Sequence, residues 1–257
     1  MGFYDALVTP PQSPATQEMY SITTAKVVEN YDDKHPGMVK VELFMGESGK
    51  NQSDWVRVAQ PYAGKGYGTY FLPEIGDEVV VAFNQGNRDN PIVLGGLWNQ
   101  VDTVPPDTAV ENNTIKRIQT KGGHQIVFND ESGKETLSLQ TPKGFTLLLD
   151  DENQTIDLKD GDGKNMVTID GSNGTVTVQA DKKLVLDVGG SGLTLDGTGK
   201  SATLKMDNII IEAGQGLTLK GQNVKVDGAM VAVAASGNGE FTASGVLTLK
   251  GAMAKIN

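Results

Sequence analysis

Apolar residues in this chain recur two apart, in short bursts. Leu217 and Leu219 form one pair, Val224 and Val226 the next, and Val231 and Val233 another. Spacing two places both members of a pair on one face of a strand. Similar pairs begin at Leu147, Ile156, Val167, Val176, Leu184, Leu193, Leu204, Ile209 and Leu247, with a mean advance of about eight residues. Between them stand DG, GSNG, GG, GTG and GQN, residues that tolerate tight turns. The pattern predicts short strands at a constant period from Ile115 to the last residue, with no helical periodicity.

The first hundred residues follow a different rule. YSITTAKVVEN, GMVKVELF, DWVRVAQP, GDEVVVAF and PIVLGGLW read as five strands, separated by turn-forming segments such as HPG, GKGYG and NQGNRDN. Five strands over this length suit a small closed barrel of the OB type. All ten prolines lie at or before Pro142, and both tryptophans, Trp55 and Trp98, lie in the first hundred residues. VDTVPPDTAVENN, with its adjacent prolines, reads as a connector. The expected organisation is an N-terminal segment over 1–18, a barrel over 19–100, a linker over 101–114 and a repetitive shaft over 115–257.

A strand of about five residues with two small apolar side chains cannot enclose a core alone. A single-chain β-helix needs longer rungs to wrap around itself. The expectation is therefore an intertwined trimeric β-helix: a triangular prism in which three chains each supply one wall per level. Each strand would pair with strands of neighbouring chains, and the apolar pairs would fill the axis.

Composition narrows the function. The chain has 257 residues, a net charge of −10 and no cysteine. Disulfides and thiolate metal sites are excluded, and the acidic balance argues against a nucleic-acid groove. No apolar run is long enough for a membrane-spanning helix, and the N-terminus lacks the pattern of a signal peptide.

The run from Trp55 to Asn99, WVRVAQPYAGKGYGTYFLPEIGDEVVVAFNQGNRDNPIVLGGLWN, resembles the OB domain of the VgrG and phage baseplate-spike family. Gly64, Gly66, Gly68, Pro73, Gly76, Asp77, Glu78, Gly86, Pro91 and Gly95 occupy the family's motif positions, as do Val79, Val81 and Phe83. Residues 122–151 resemble the start of the family's trimeric β-helix, and LKGAMAKIN resembles its C-terminal ending. The resemblance implies a homotrimeric, non-enzymatic spike at the centre of a contractile machine. It would cap the inner tube and be driven through a target membrane when the sheath contracts. It would be assembled in the producer cytoplasm and delivered into the target envelope. About eighteen residues precede the barrel, so the hub is expected to be a separate trimeric protein. The C-terminal end, with Met253, Ala254, Ile256 and Asn257, is expected to bind a PAAR-like tip protein. No cofactor, metal or nucleic acid is expected.

Other chemistry finds weak support. His124 and His35 are the only histidines, and structural roles are expected for both. DGDGKN (160–165) resembles the start of a calcium loop but lacks the downstream glutamate. Glu74, Asp77 and Glu78 could be imagined as a glycosidase pair, yet PEIGDEVVV is a turn feeding a strand. GKGYG is not followed by a helix, as a phosphate cradle would be. The rival functions are a β-helical fibre binding surface glycans and a β-helix polysaccharide lyase. The shaft lacks the longer rungs and charged cleft of the lyase.

Overall fold

A computed structural model of the chain describes residues 21–45, 49–253 and 255. The expected hub-contacting segment 1–18 lies outside the described residues. The architecture is all-β. One 3-10 turn, Asn84–Gly86, is the helical element among the described residues, and no helix is long and apolar enough to cross a membrane.

Seven strands build the first region: β1 (Ile22–Glu29), β2 (Met38–Leu43), β3 (Val56–Val58), β4 (Ala63–Gly64), β5 (Tyr67–Gly68), β6 (Glu78–Phe83) and β7 (Pro91–Gly96). Five close into a barrel in the order β1-β2-β3-β7-β6, with β3 and β7 parallel and the other neighbours antiparallel. The expected OB-type barrel is thus present. MVKVEL in β2 and EVVVAF in β6 alternate strictly between half-buried and buried positions, as a closed barrel with one filled interior requires. Val27, Val39, Val41, Val79, Val81 and Val93 are fully enclosed, and these small β-branched side chains fit a narrow lumen. β4 and β5 form a separate hairpin.

No strand is present from 97 to 114. Then follow β8 (Ile115–Gln119), β9 (Gln125–Asn129), β10 (Thr136–Gln140), β11 (Thr146–Asp150), β12 (Thr155–Lys159), β13 (Met166–Asp170) and β14 (Thr175–Gln179). They form one antiparallel meander in sequence order. Within the chain each strand pairs with its sequence neighbours. The turns are brief: four to six residues separate successive strands, which closes a hairpin at little entropic cost.

The chain divides into two compact units, 1–184 and 185–257, so barrel and meander belong to the first. In the second, β15 (Lys183–Val188), β16 (Ser191–Asp196) and β17 (Ser201–Lys205) form a three-stranded sheet. β15 turns into β16 through Gly189 and Gly190, both at positive φ (58° and 86°), which two-residue hairpins of this kind demand. Beyond β17 no strand is formed among the described residues, although strands were expected at Ile209, Leu217, Val224, Val231 and Leu247. A ladder needs a partner backbone, and the chain supplies none there. Every described residue from 201 onward is exposed.

Candidate functional site

The register of the meander sorts its side chains into two faces. On one face, Ile118, Ile126, Leu139, Leu147, Leu158, Val167 and Val178 stand opposite one another from strand to strand. Two residues along, Phe128, Leu137, Leu149, Ile156, Ile169 and Val176 form a second row on that face. The second row begins at Lys116, whose ammonium turns back to the Asn113 carbonyl. The opposite face is mainly polar toward its later strands. There Thr168 donates a 2.6 Å hydrogen bond to Asp157.

The apolar face is uncovered. Leu158 is 56 % exposed, Val176 68 % and Val178 51 %, and none of the chain's fully buried residues belongs to the meander. Burying one such side chain is worth about 1.5–3 kcal/mol. Thirteen of them in two unbroken rows therefore form a surface built to be covered. At its barrel end the face deepens into a depression of about 440 Å³, lined by Phe71, Ile118, Ile126, Leu139, Phe145 and Leu147. Phe71 and Ile118 also line a neighbouring depression of about 540 Å³, with Val58, Leu72 and Val93 of the barrel. Lys121 reaches back to Glu74 at 3.3 Å and ties the first turn of the sheet to the barrel.

The turns are held by aspartates at the strand ends. Asp150 accepts hydrogen bonds from Asn153 N and Nδ2, both at 2.9 Å. Asp170 accepts from Asn173 N, Asn173 Nδ2 and the Ser172 hydroxyl. The Asn173 side chain above all, with the backbone N–H behind it, pulls the Asp170 carboxyl down to about 2. Asp160 is lowered chiefly by the Asn165 side chain and Asp150 chiefly by the Asn153 backbone N–H. These latches were not foreseen from sequence. Their signal is D-x-x-N, present as DDEN at 150–153 and DGSN at 170–173. The same chemistry accounts for DGDGKN: the Asp160 carboxylate accepts from Lys164 N and Asn165 N within its own turn. Among the described residues no group of three or more His, Cys, Asp or Glu is placed to hold a metal ion.

The motif residues of the barrel shape its turns. Gly64 and Gly68 lie in the β4–β5 hairpin, and a Cβ on Gly68 (φ 145°) would come within 2.5 Å of the Tyr62 carbonyl oxygen. Gly66 (φ 80°) makes the turn between them. The Pro73 carbonyl accepts from Asn30 Nδ2. Gly76 (φ 103°) and Asp77 pin the approach to β6: Gly76 N donates to Val27 O, Val27 N to Asp77 O, and Glu74 N to the Asp77 carboxylate. Glu78 accepts from Asn99 Nδ2 at 2.8 Å. Glu74, Asp77 and Glu78 are thus each engaged in a structural contact: an ion pair, a turn and a hydrogen bond to Asn99 respectively. Gly86 is buried at positive φ, Pro91 opens β7, and Gly95 adjoins a register shift opposite Val80. His35 accompanies Asp32 at 2.6 Å and stacks on Trp55 at 5.7 Å between centroids, while His124 lies exposed in the β8–β9 turn. Of the expected tip residues, Met253 is 77 % exposed; Ala254, Ile256 and Asn257 lie outside the described residues.

Comparison with known proteins agrees with the barrel. Residues 23–98 match the family model described as the type VI secretion system/phage-baseplate injector OB domain. The chain is 36% identical over 135 residues to the actin cross-linking toxin VgrG1 of Vibrio cholerae, across 49% of this chain and 12% of that protein. It is 37% identical over 118 residues to the type VI secretion system spike protein VgrG1b of Pseudomonas aeruginosa, across 42% of this chain and 16% of the relative. With VgrG1a of the same species it shares 35% over 127 residues, across 45% and 20%. The chain thus spans a fifth or less of the curated relatives it matches. Residues 23–98 are thus similar to the injector OB domain of type VI secretion and phage-baseplate proteins, and under half of the chain is similar to VgrG spike proteins.

Proposed function

We propose that this chain is the central spike of a contractile injection machine of the type VI secretion or phage-baseplate kind. It acts as a homotrimer whose sheets close, apolar face inward, into a triangular prism. The observation that carries this is the two-row apolar face of the meander, uncovered in the single chain.

Magnitudes favour three walls over four. A five-residue strand spans about 17 Å, at roughly 3.3 Å per residue. Three walls of that width stand about 5 Å from their common axis, which is half the ~10 Å spacing of packed sheets. Four would stand about 8 Å away and leave an axial void that aliphatic side chains do not fill. Two sheets could sandwich at the same spacing, and sedimentation separates that dimer from the trimer. The exposed residues after β17, with no ladder of their own, continue the shaft by pairing with the other two chains. The work of the spike is mechanical: the prism transmits the thrust of the sheath to a target membrane.

Two further partners complete the proposal. The barrel end seats on a trimeric hub, and the C-terminal end around Met253, Ala254, Ile256 and Asn257 receives one PAAR-like cap per trimer. The protein is assembled in the producer cell and delivered into the target envelope. The test is sedimentation equilibrium of the purified chain with electron microscopy of the same sample. A trimer with a thin shaft is expected, and a stable monomer or dimer overturns the proposal.

A further inference from the structure

The two long edges of the meander carry opposite charge. Because the strands alternate in direction, the β9–β10, β11–β12 and β13–β14 turns share one edge, and the β8–β9, β10–β11 and β12–β13 turns share the other. With the strand ends that flank them, the turns of the first edge hold seven carboxylates and one lysine. Those of the second hold four lysines and two aspartates. Asp130, Asp151 and Glu152 are exposed on the first edge, and Lys121, Lys143 and Lys164 on the second. The turns stack into firm stripes. Gly171 N donates to Gln154 O at 2.9 Å on the acidic edge, and on the other a Cβ at Gly161 would come within 2.1 Å of the Lys143 carbonyl oxygen.

Symmetry dictates what these stripes meet. When three identical sheets surround a threefold axis with strands running across it, each corner joins one edge of a sheet to the opposite edge of the next. Rotation about the axis preserves height. Along each edge a turn falls every second strand, and the two edges are offset by one strand, about 4.8 Å. The Asp151–Glu152 turn of one protomer therefore lies level with the midpoint between the Lys143 and Lys164 turns of its neighbour. Asp130 lies likewise between Lys121 and Lys143. A protomer inserted upside down, apolar face still inward, would set acidic edge against acidic edge and lysine edge against lysine edge.

We infer that the acidic and lysine edges pair across the three corners of the trimer and select the arrangement in which all three chains point the same way. Apolar rows alone do not distinguish up from down, because both orientations bury them. Charge supplies the difference by penalising the wrong orientation. The inference rests on the trimer proposed above.

Three full-length variants test it. One carries Asp130→Lys, Asp151→Lys and Glu152→Lys; another carries Lys143→Glu and Lys164→Glu; the third combines both sets. Each single-edge variant is expected to trimerise at least about tenfold more weakly than the parent in low salt. The deficit should shrink in 1 M salt, where screening acts within about 3 Å. The combined variant, in which these facing carboxylates and lysines have changed places, should trimerise more tightly than either single-edge variant. Single-edge variants that trimerise as the parent does, or a combined variant no better than they are, overturn the inference while leaving the trimer intact. A parent chain that sediments as a monomer overturns both. If a reversed variant loses its β-sheet dichroism, the milder pair Asp151→Asn and Glu152→Gln should show a smaller loss, and no loss there also overturns it.

Discussion

Asp157 on β12 stands directly opposite Thr168 on β13, and the threonine hydroxyl donates a 2.6 Å hydrogen bond to the carboxylate. One residue further along β12, on the other face, Leu158 stands opposite Val167 and remains 56 % exposed. One face of the same two strands thus satisfies itself, and the other awaits a partner. Leu158→Asp is expected to abolish trimerisation while the protomer keeps its β-sheet dichroism. Each trimer would lose three buried leucines and bury three carboxylates instead. Thr168→Val removes only the hydrogen bond, costs about 1 kcal/mol in thermal denaturation, and leaves the trimer. Sedimentation velocity of both variants checks the contrast.

In the β4–β5 hairpin, Gly68→Ala should destabilise the barrel more than Gly66→Ala. Both positions have positive φ, so each substitution costs about 1–3 kcal/mol of backbone strain. At Gly68 the added methyl also meets the Tyr62 carbonyl oxygen, whereas at Gly66 nothing lies within 4 Å. Ranking the two melting temperatures decides it.

The Asp170 latch predicts a pH dependence. Its carboxyl titrates at about 2 in the folded chain, against an ordinary value of 3.8. A lowered folded value means that the ionised form favours the native turn. This stability is present above about pH 3.8 and is lost as the pH falls through about 2. Asp170→Asn should lower the melting temperature at pH 7 and narrow the gap between pH 7 and pH 2.5. An unchanged gap refutes the latch.

At the C-terminal end, replacing Met253 and Ile256 by aspartate should prevent capture of a PAAR-like protein by the trimer. The trimer itself should persist, because the meander is untouched. Co-sedimentation with a purified cap measures this, and undiminished capture rejects the assignment of the tip.

Much of the fold is legible in the sequence because alternation fixes a face. The pairs Leu147/Leu149, Ile156/Leu158, Val167/Ile169 and Val176/Val178 fall on one side of one sheet. The barrel strands are legible for the same reason, reinforced by glycines that only turns require. The partner of each strand is not legible. Period two states which way a side chain points and says nothing of which backbone lies alongside. The aspartate latches were overlooked because Asp and Asn also populate ordinary turns. They emerge only when the carboxylate is seen to accept from the asparagine three residues on.

Between β8 and β14 every ladder joins strands separated by only four to six residues. Contacts so local in sequence form quickly, because little chain entropy is lost in closing each hairpin. The sheet can therefore zip up on a single nascent chain before any partner is met. What emerges is a folded protomer with an adhesive side, and its later steps are collisions whose rate rises with protomer concentration. Synthesis from neighbouring ribosomes on one message would shorten that exposed interval, and dilution would lengthen it and invite aggregation.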